Sequence, residues 1–372
     1  MLYNSIMRNH IRLASLLLLL ISFSTAAQVP VTDPNSSSLP PAKVRRIEEA
    51  IKSAMERGTI PGMSVAVVVD DHLQWMNGFG MADLENSVPA RPATVYRLAS
   101  ISKTITATAA MQLAERGILD LDAPVQNYCP AFPQKQWTVT ARLLLGHLAG
   151  IRHYRGDETD STRHYSSVAE GLDIFKNDPL LAMPGTQYIY SSYGFNLLGC
   201  VVEGASGRKF TDYIRDNIFV PAHMEHIQVD DIFAIIQNRA QGYERGPGGK
   251  LRNSGLVDTS YKIPSGGLCS TVEDLARFTI ALREGVLLKP QTLTQMWTKQ
   301  KTTAGNEIPY GLGWEIGERN GMKTVYHGGA QQRVSTLLYT IPQKKFTVVI
   351  MSNLEDARIS PLATQIADIV FE

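Results

Sequence analysis

The stretch from Ser100 to Arg116 constrains this chain most. Its pattern is helical and stops at Gly117. Its middle (Ile105, Ala107, Ala109, Ala110, Met111, Leu113) is almost wholly small or apolar. A helix without a polar face has to be buried on most sides, so the rest of the fold must wrap around it. The chain has 372 residues, enough for one large domain or two interleaved ones, with a core that needs no metal or disulfide for stability.

The flanking segments indicate how that wrapping is done. Lys43 to Arg57 has apolar residues at Val44, Ile47, Ile51 and Met55, a helical spacing closed by Gly58. The β-branched run Met63 to Val69, the pair Asp70-Asp71 and the run His72 to Gly78 predict a hairpin. From Ile118 to about Arg283, helix-like runs predominate between Pro- and Gly-marked loops. Strand patterns return at Gly311 to Ile316, Val334 to Ile341 and Phe346 to Met351, the last two joined around Pro342-Gln343-Lys344-Lys345. Ser360 to Phe371 predicts a closing helix. The expected class is α+β: one antiparallel sheet built from both termini, flanked by helices, with a helical lobe of about residues 118–283 inserted. One domain is expected over residues 42–372, after a Pro-, Ser- and Asn-rich linker over 28–41.

The first residues predict export. Arg8 and Arg12 precede the apolar run Leu13 to Phe23, too short to span a bilayer, and Ser24-Thr25-Ala26-Ala27 supplies small residues for cleavage. A signal peptide over 1–27 is therefore expected, leaving a periplasmic or secreted chain with no stable membrane span. The formal charge of +1 and the lack of a basic block argue against a nucleic-acid partner. Cys129, Cys200 and Cys269 are too widely spaced for a zinc site or a redox pair. An odd number leaves at least one free thiol, and Cys200 in an apolar run is simplest as a small buried residue.

Three ordered motifs carry the chemistry. Ser100 and Lys103 are just under one helical turn apart, so hydroxyl and amine can share a face. A desolvated lysine amine can take the proton that keeps serine a poor nucleophile. The N–H groups at the head of the helix favour a developing oxyanion there. A second match to the same spacing, Ser206 to Lys209, follows a helix and is expected to be its stop. Tyr190-Ser191-Ser192 offers a phenol that could relay a proton, if a nearby ammonium lowers its pKa, and a hydroxyl for substrate or Lys103. His327-Gly328-Gly329-Ala330 has glycines that let a substrate lie along a strand edge, with an N–H near Ala330 completing the oxyanion hole. Each piece alone has a plainer role: Ser100 as an N-cap, Tyr190 as a packing residue, His327 as a half-buried ring beside a bulge.

Taken together, these residues resemble the serine β-lactamase and penicillin-binding superfamily, in its class C-like branch, over Lys43 to Phe371. Leu143 to Ile151, Pro184-Gly185-Thr186 and Gly266 to Thr271 add to the likeness. Ile151-Arg152-His153-Tyr154 is similar to the mitochondrial serine β-lactamase-like peptidases. The resemblance implies a β-lactamase/transpeptidase-like fold and hydrolysis through an acyl-enzyme, without metal or cofactor. It implies Ser100 as nucleophile, Lys103 as base and Tyr190 as proton shuttle. It places the oxyanion hole at the N–H groups of Ser100 and Ala330, and substrate contacts at Ser192, His327, Gly328 and Gly329.

Two departures redirect the expected substrate. Ser192 stands where the true β-lactamases have Asn, and His327-Gly328 replaces Lys-Thr, losing a fixed charge and a hydroxyl. Both weaken recognition of an anionic β-lactam and point to the esterase, D-aminopeptidase and peptidase branches, acting on small esters, amides or peptides. The alternatives are a class C-like β-lactamase, a D-alanyl-D-alanine carboxypeptidase, or a penicillin-binding sensor with slow deacylation. His223, His226, Asp230 and Asp231 are expected to lie in a solvated loop, not at a metal, and His147 to be a packing residue.

Overall fold

The computed structural model describes residues 38–372. The expected signal segment 1–27 and residues 28–37 of the expected linker lie outside them. The first helix, α1 (Pro41–Gly58), begins inside the linker's expected range because Pro41 occupies a first-turn position, where no N–H is needed. Its stop is Thr59, which takes the left-handed conformation expected of Gly58 (φ 47°).

A seven-stranded antiparallel sheet forms the middle layer. Its strands are β1 (Gly62–Val69), β2 (His72–Asp83), β3 (Val88–Pro89), β4 (Glu315–Arg319), β5 (Met322–Gln331), β6 (Val334–Ile341) and β7 (Phe346–Ser352). Their order is β3-β2-β1-β7-β6-β5-β4. The two ends of the chain meet where β1 pairs with β7, from Met63↔Ser352 to Val68↔Thr347. Asp70 and Asp71 both have positive φ (52° and 62°), the two-residue turn that matches strand twist. The sheet from both termini was thus legible in the sequence.

Period-two alternation divides the central strands between two cores. Val65 and Val67, Leu337, Tyr339 and Ile341, and Val348 and Ile350 face α1 and the closing helix (Ser360–Phe371). Ala66 and Val68, Leu338, Val349 and Met351 face the helical lobe. Both faces are covered, so β6 and β7 are buried along their whole length.

The helix expected to be enclosed is α2 (Ser102–Glu115), and every residue from Ser102 to Leu113 is buried. Its threonines remain compatible with burial because their hydroxyls donate to carbonyls: Thr104 to Ile101, Thr108 to Thr104, and Thr106 to Pro264 at 2.6 Å. Beside it lies α3 (Ser192–Ser206), ended by Gly207 at φ 66°. The second S-x-x-K match is therefore a helix stop, as read.

Three expectations need correction. Gly311 to Trp314 is a turn, not strand: a Cβ at Gly311 would stand 2.1 Å from the Met296 carbonyl, and Gly313 has φ 84°. The helical middle also holds strand: Leu268–Ser270 and Gln228–Val229 form a small sheet with Tyr96–Arg97, which precedes the lobe. Cys200 is not a free apolar residue. It is bonded to Cys129 across 71 residues, with Cα atoms 5.6 Å apart, and Cys269 alone is free. Closing so long a loop restricts the unfolded chain, so Cys200→Ala is expected to cost about 4 kcal/mol of stability. Urea unfolding without reductant measures it. An unchanged midpoint would show that the link adds nothing.

Among the described residues no helix is long and apolar enough to cross a membrane.

Candidate active site

Ser100 is set by what packs around its turn. Leu98 donates its N–H to the Leu268 carbonyl at 2.8 Å, tying the entry to the small sheet. Ala99 then takes a positive φ of 48°, unusual for a residue with a side chain, and Ala99–Ile101 make one tight turn before α2. Ser100 therefore sits just ahead of the helix rather than within it. The turn docks on β5 at Gly329, where a Cβ would stand 2.4 Å from the Leu98 carbonyl and 2.2 Å from Thr336 Oγ1. Thr336 Oγ1 donates to that same carbonyl at 2.9 Å. Gly329 is thus the close backbone approach that presses the serine turn against the sheet.

Lys103 Nζ lies 2.9 Å from Ser100 Oγ, 3.0 Å from Ser192 Oγ and 2.9 Å from the Ser265 carbonyl. Among the described residues no carboxylate pairs with it. Burial, and the nearby charge of Lys262, hold its pKa well below the usual lysine range. The ring faces of Tyr190 and Phe195, 5.0 and 5.9 Å away, favour the charged form, but a cation–π contact is worth at most about 2 kcal/mol. Desolvating an unpaired ammonium costs several. A neutral amine has two N–H groups, which suit Ser192 and Ser265, and one lone pair, which is left for the proton of Ser100.

Tyr190 is gripped by aromatic neighbours, including His147 at 4.3 Å between ring centroids, and its hydroxyl is within reach of Ser100. The expected lowering of its pKa is contradicted. Burial raises it, outweighing the hydrogen bond with Ser100 that would lower it. Tyr190 is a protonated phenol and can give a proton only as it receives another.

His327 was expected to touch substrate. Its ring is instead buried, its Nε2 accepting from the Tyr310 hydroxyl at 2.9 Å and its Nδ1–H donating to the Gly328 carbonyl at 2.7 Å. Burial and Lys103 push its pKa down to about 3, so it is neutral rather than partly charged. Both ring nitrogens are thus engaged, and His327 does not line the cavity over Ser100. Gly328 and Gly329 act through the backbone. The Gly328 N–H faces Glu315 Oε1 at 3.4 Å, which marks the outer edge of β5. Pairing with β4 ends at Tyr326↔Glu315. Alternation then sends the Ala330 N–H to the same unpaired edge. A Cβ at Gly328 would meet nothing within 4 Å.

A cavity of about 310 Å³ opens over Ser100, lined among others by Ser192, Ala330, Tyr154, Lys262 and Gln331. Of the expected site residues, Ser100, Ser192 and Ala330 line it, while Lys103, Tyr190 and His327 stand behind. The sequence reading did not assign His153, Tyr154, Lys262 or Ser265. Two of its motif stretches contained clues: Ile151 to Tyr154 supplies two cavity residues, and Ser265 directly precedes Gly266. His153 Nδ1 accepts from the Ser192 N–H at 3.3 Å, and burial beside Lys103 and Lys262 lowers its pKa to about 4. Arg152 is buried in a two-pronged bond to Glu158 (2.8 Å each) and also pairs with Asp178, fixing this segment. His147 is a packing residue as read, accepting from the Ser191 N–H at 3.1 Å. Asp230 pairs with Arg97 at 2.6 Å and Arg239 at 3.2 Å, so it is buried rather than in a solvated loop.

A family model described as Beta-lactamase matches residues 47–370. The chain is 33% identical to the human serine beta-lactamase-like protein LACTB, mitochondrial, over 78% of this chain and 70% of that one. Among solved structures it is similar to the octameric penicillin-binding protein homologue from Pyrococcus abyssi, with TM-score 0.78, 27% identity, and 88% and 77% of the two chains covered. The D-amino acid amidase from Ochrobactrum anthropi SV3 shares the fold, with TM-score 0.75 and 22% identity over 89% and 97%.

Proposed function

The chain belongs to the Beta-lactamase family of serine hydrolases, and from that premise we propose an exported peptidase or esterase that works through an acyl-enzyme on Ser100. The observation that carries this reading is a buried amine, unpaired with any acid among the described residues, 2.9 Å from a serine hydroxyl that lines a cavity. Lys103 takes the Ser100 proton as Oγ attacks the carbonyl carbon of an ester or amide. The N–H groups of Ser100 and Ala330 hold the oxyanion. As the tetrahedral intermediate collapses, Tyr190 gives its proton to the leaving group and is refilled from Lys103. Water, deprotonated by the same amine, then cleaves the acyl-serine.

Export is supported by the N-terminal pattern and by the Cys129–Cys200 bond, since such bonds persist outside the reducing cytosol. A peptidase or esterase is favoured over a β-lactamase by a neutral His327, by Gly328 with no hydroxyl, and by Ser192 with no amide. Turnover of p-nitrophenyl acetate should exceed that of nitrocefin by about 100-fold in kcat/KM, the worth of two lost polar contacts. Steady nitrocefin turnover at a comparable rate would replace this reading with a β-lactamase. A single stoichiometric burst on both substrates would indicate a penicillin-binding sensor.

A further inference from the structure

The cavity contains a second buried amine that the mechanism does not use as a base. Lys262 is 2% exposed and closes the single turn Ser260–Lys262, just before Ser265, whose carbonyl holds Lys103. It lines the same cavity as Ser100. Among the described residues the Lys262 side-chain amine donates no hydrogen bond and has no ion-pair partner, while its backbone N–H donates to the Thr259 carbonyl at 3.0 Å. Its neighbours are ring faces, Tyr261 at 5.3 Å and Tyr154 at 5.6 Å.

The carboxylates near enough to act on it are already engaged. Asp230 is held by Arg97 and Arg239, and Asp160 accepts from Gln332 Nε2 at 2.6 Å. Among the described residues the amine is thus desolvated without a counter-ion, an arrangement that is costly unless a ligand supplies one. Burial and Arg97 bring its pKa down to about 7. A second donor is idle in the same cavity. Gln331, next to Ala330 on β5, has its side-chain Nε2 buried with no partner among the described residues.

We propose that Lys262, with the Gln331 amide, forms a subsite for a carboxylate of the acyl donor, so that this hydrolase selects substrates bearing an acidic group near the scissile carbonyl. The subsite rests on the acyl-enzyme reading of Ser100, and the test separates the two.

Phenylboronic acids add Ser100 Oγ to boron, the hydroxyl proton passing to Lys103. The 3- and 4-carboxyphenylboronic acids and their carboxamide isosteres differ only in charge. At least one acid is expected to inhibit p-nitrophenyl acetate hydrolysis about tenfold more tightly than its amide, the gain from a charged hydrogen bond. In Lys262→Met that preference is expected to collapse, whatever happens to the amide's own affinity through Lys103. Equal inhibition by acid and amide in the unaltered enzyme overturns the subsite, even if the variant does not fold. A preference that survives in Lys262→Met overturns it too. If no boronate binds, or Ser100→Ala binds them as tightly as the unaltered enzyme, the acyl-enzyme reading fails and the subsite with it.

Discussion

Ser100→Ala is expected to lower kcat for ester hydrolysis by an amount on the order of 10⁵-fold, the scale seen when a nucleophile is removed from a preorganised site. What remains should be the contribution of the oxyanion donors at Ser100 and Ala330, which alanine leaves in place. Ser100 is half-buried at the cavity floor, and its side chain holds no part of the core. The thermal midpoint should therefore move by only a few degrees. A variant that retains full ester turnover would remove Ser100 from the mechanism. A variant that unfolds would show that the turn at Ala99 depends on the hydroxyl.

Lys103→Met should lower kcat by about 10⁴-fold, because one amine serves as base for attack and as proton source for the leaving group. It should also change how stability depends on pH, with a definite sign. In the folded chain, burial and Lys262 hold the Lys103 pKa well below its usual 10.5. Unfolding restores the usual value. Between the folded and unfolded values the unfolded chain binds one more proton, so raising pH stabilises the fold, by up to about 1.4 kcal/mol per pH unit. Methionine removes this term. The urea midpoint of the unaltered protein should thus gain on that of Lys103→Met between pH 7 and pH 9. Parallel midpoints across that range would mean that the amine is protonated in both states, and the general-base role would go with it.

The two features that decide the architecture were local, and so were legible. Val65 and Val67 alternate with Ala66 and Val68 because each strand face meets a different core. The middle of α2, almost wholly small or apolar, predicted an enclosed helix. The Ser100 and Lys103 pair was legible because they are three residues apart, and one tight turn running into α2 brings hydroxyl and amine to 2.9 Å. What escaped the sequence reading depends on packing between distant segments. Cys129 and Cys200 are 71 residues apart, and only the folded lobe brings them together. Tyr190 and His327 were recognised by motif, but their protonation depends on burial, which composition does not give. Burial moved the Tyr190 pKa up where an ammonium was expected to bring it down, and it silenced the charge on His327. Lys262 has no motif. Its role emerges only because the Ser260–Gly266 segment turns it into the cavity that holds Ser100.

The most direct measurement is the intact mass of the protein during turnover of a slow acyl donor, quenched in acid and followed by peptide mapping. One acyl group should appear per chain, located on the peptide that holds Ser100, and it should be absent from Ser100→Ala. An acyl group on any other residue, or product formed with no covalent species in either protein, would contradict the acyl-enzyme on Ser100.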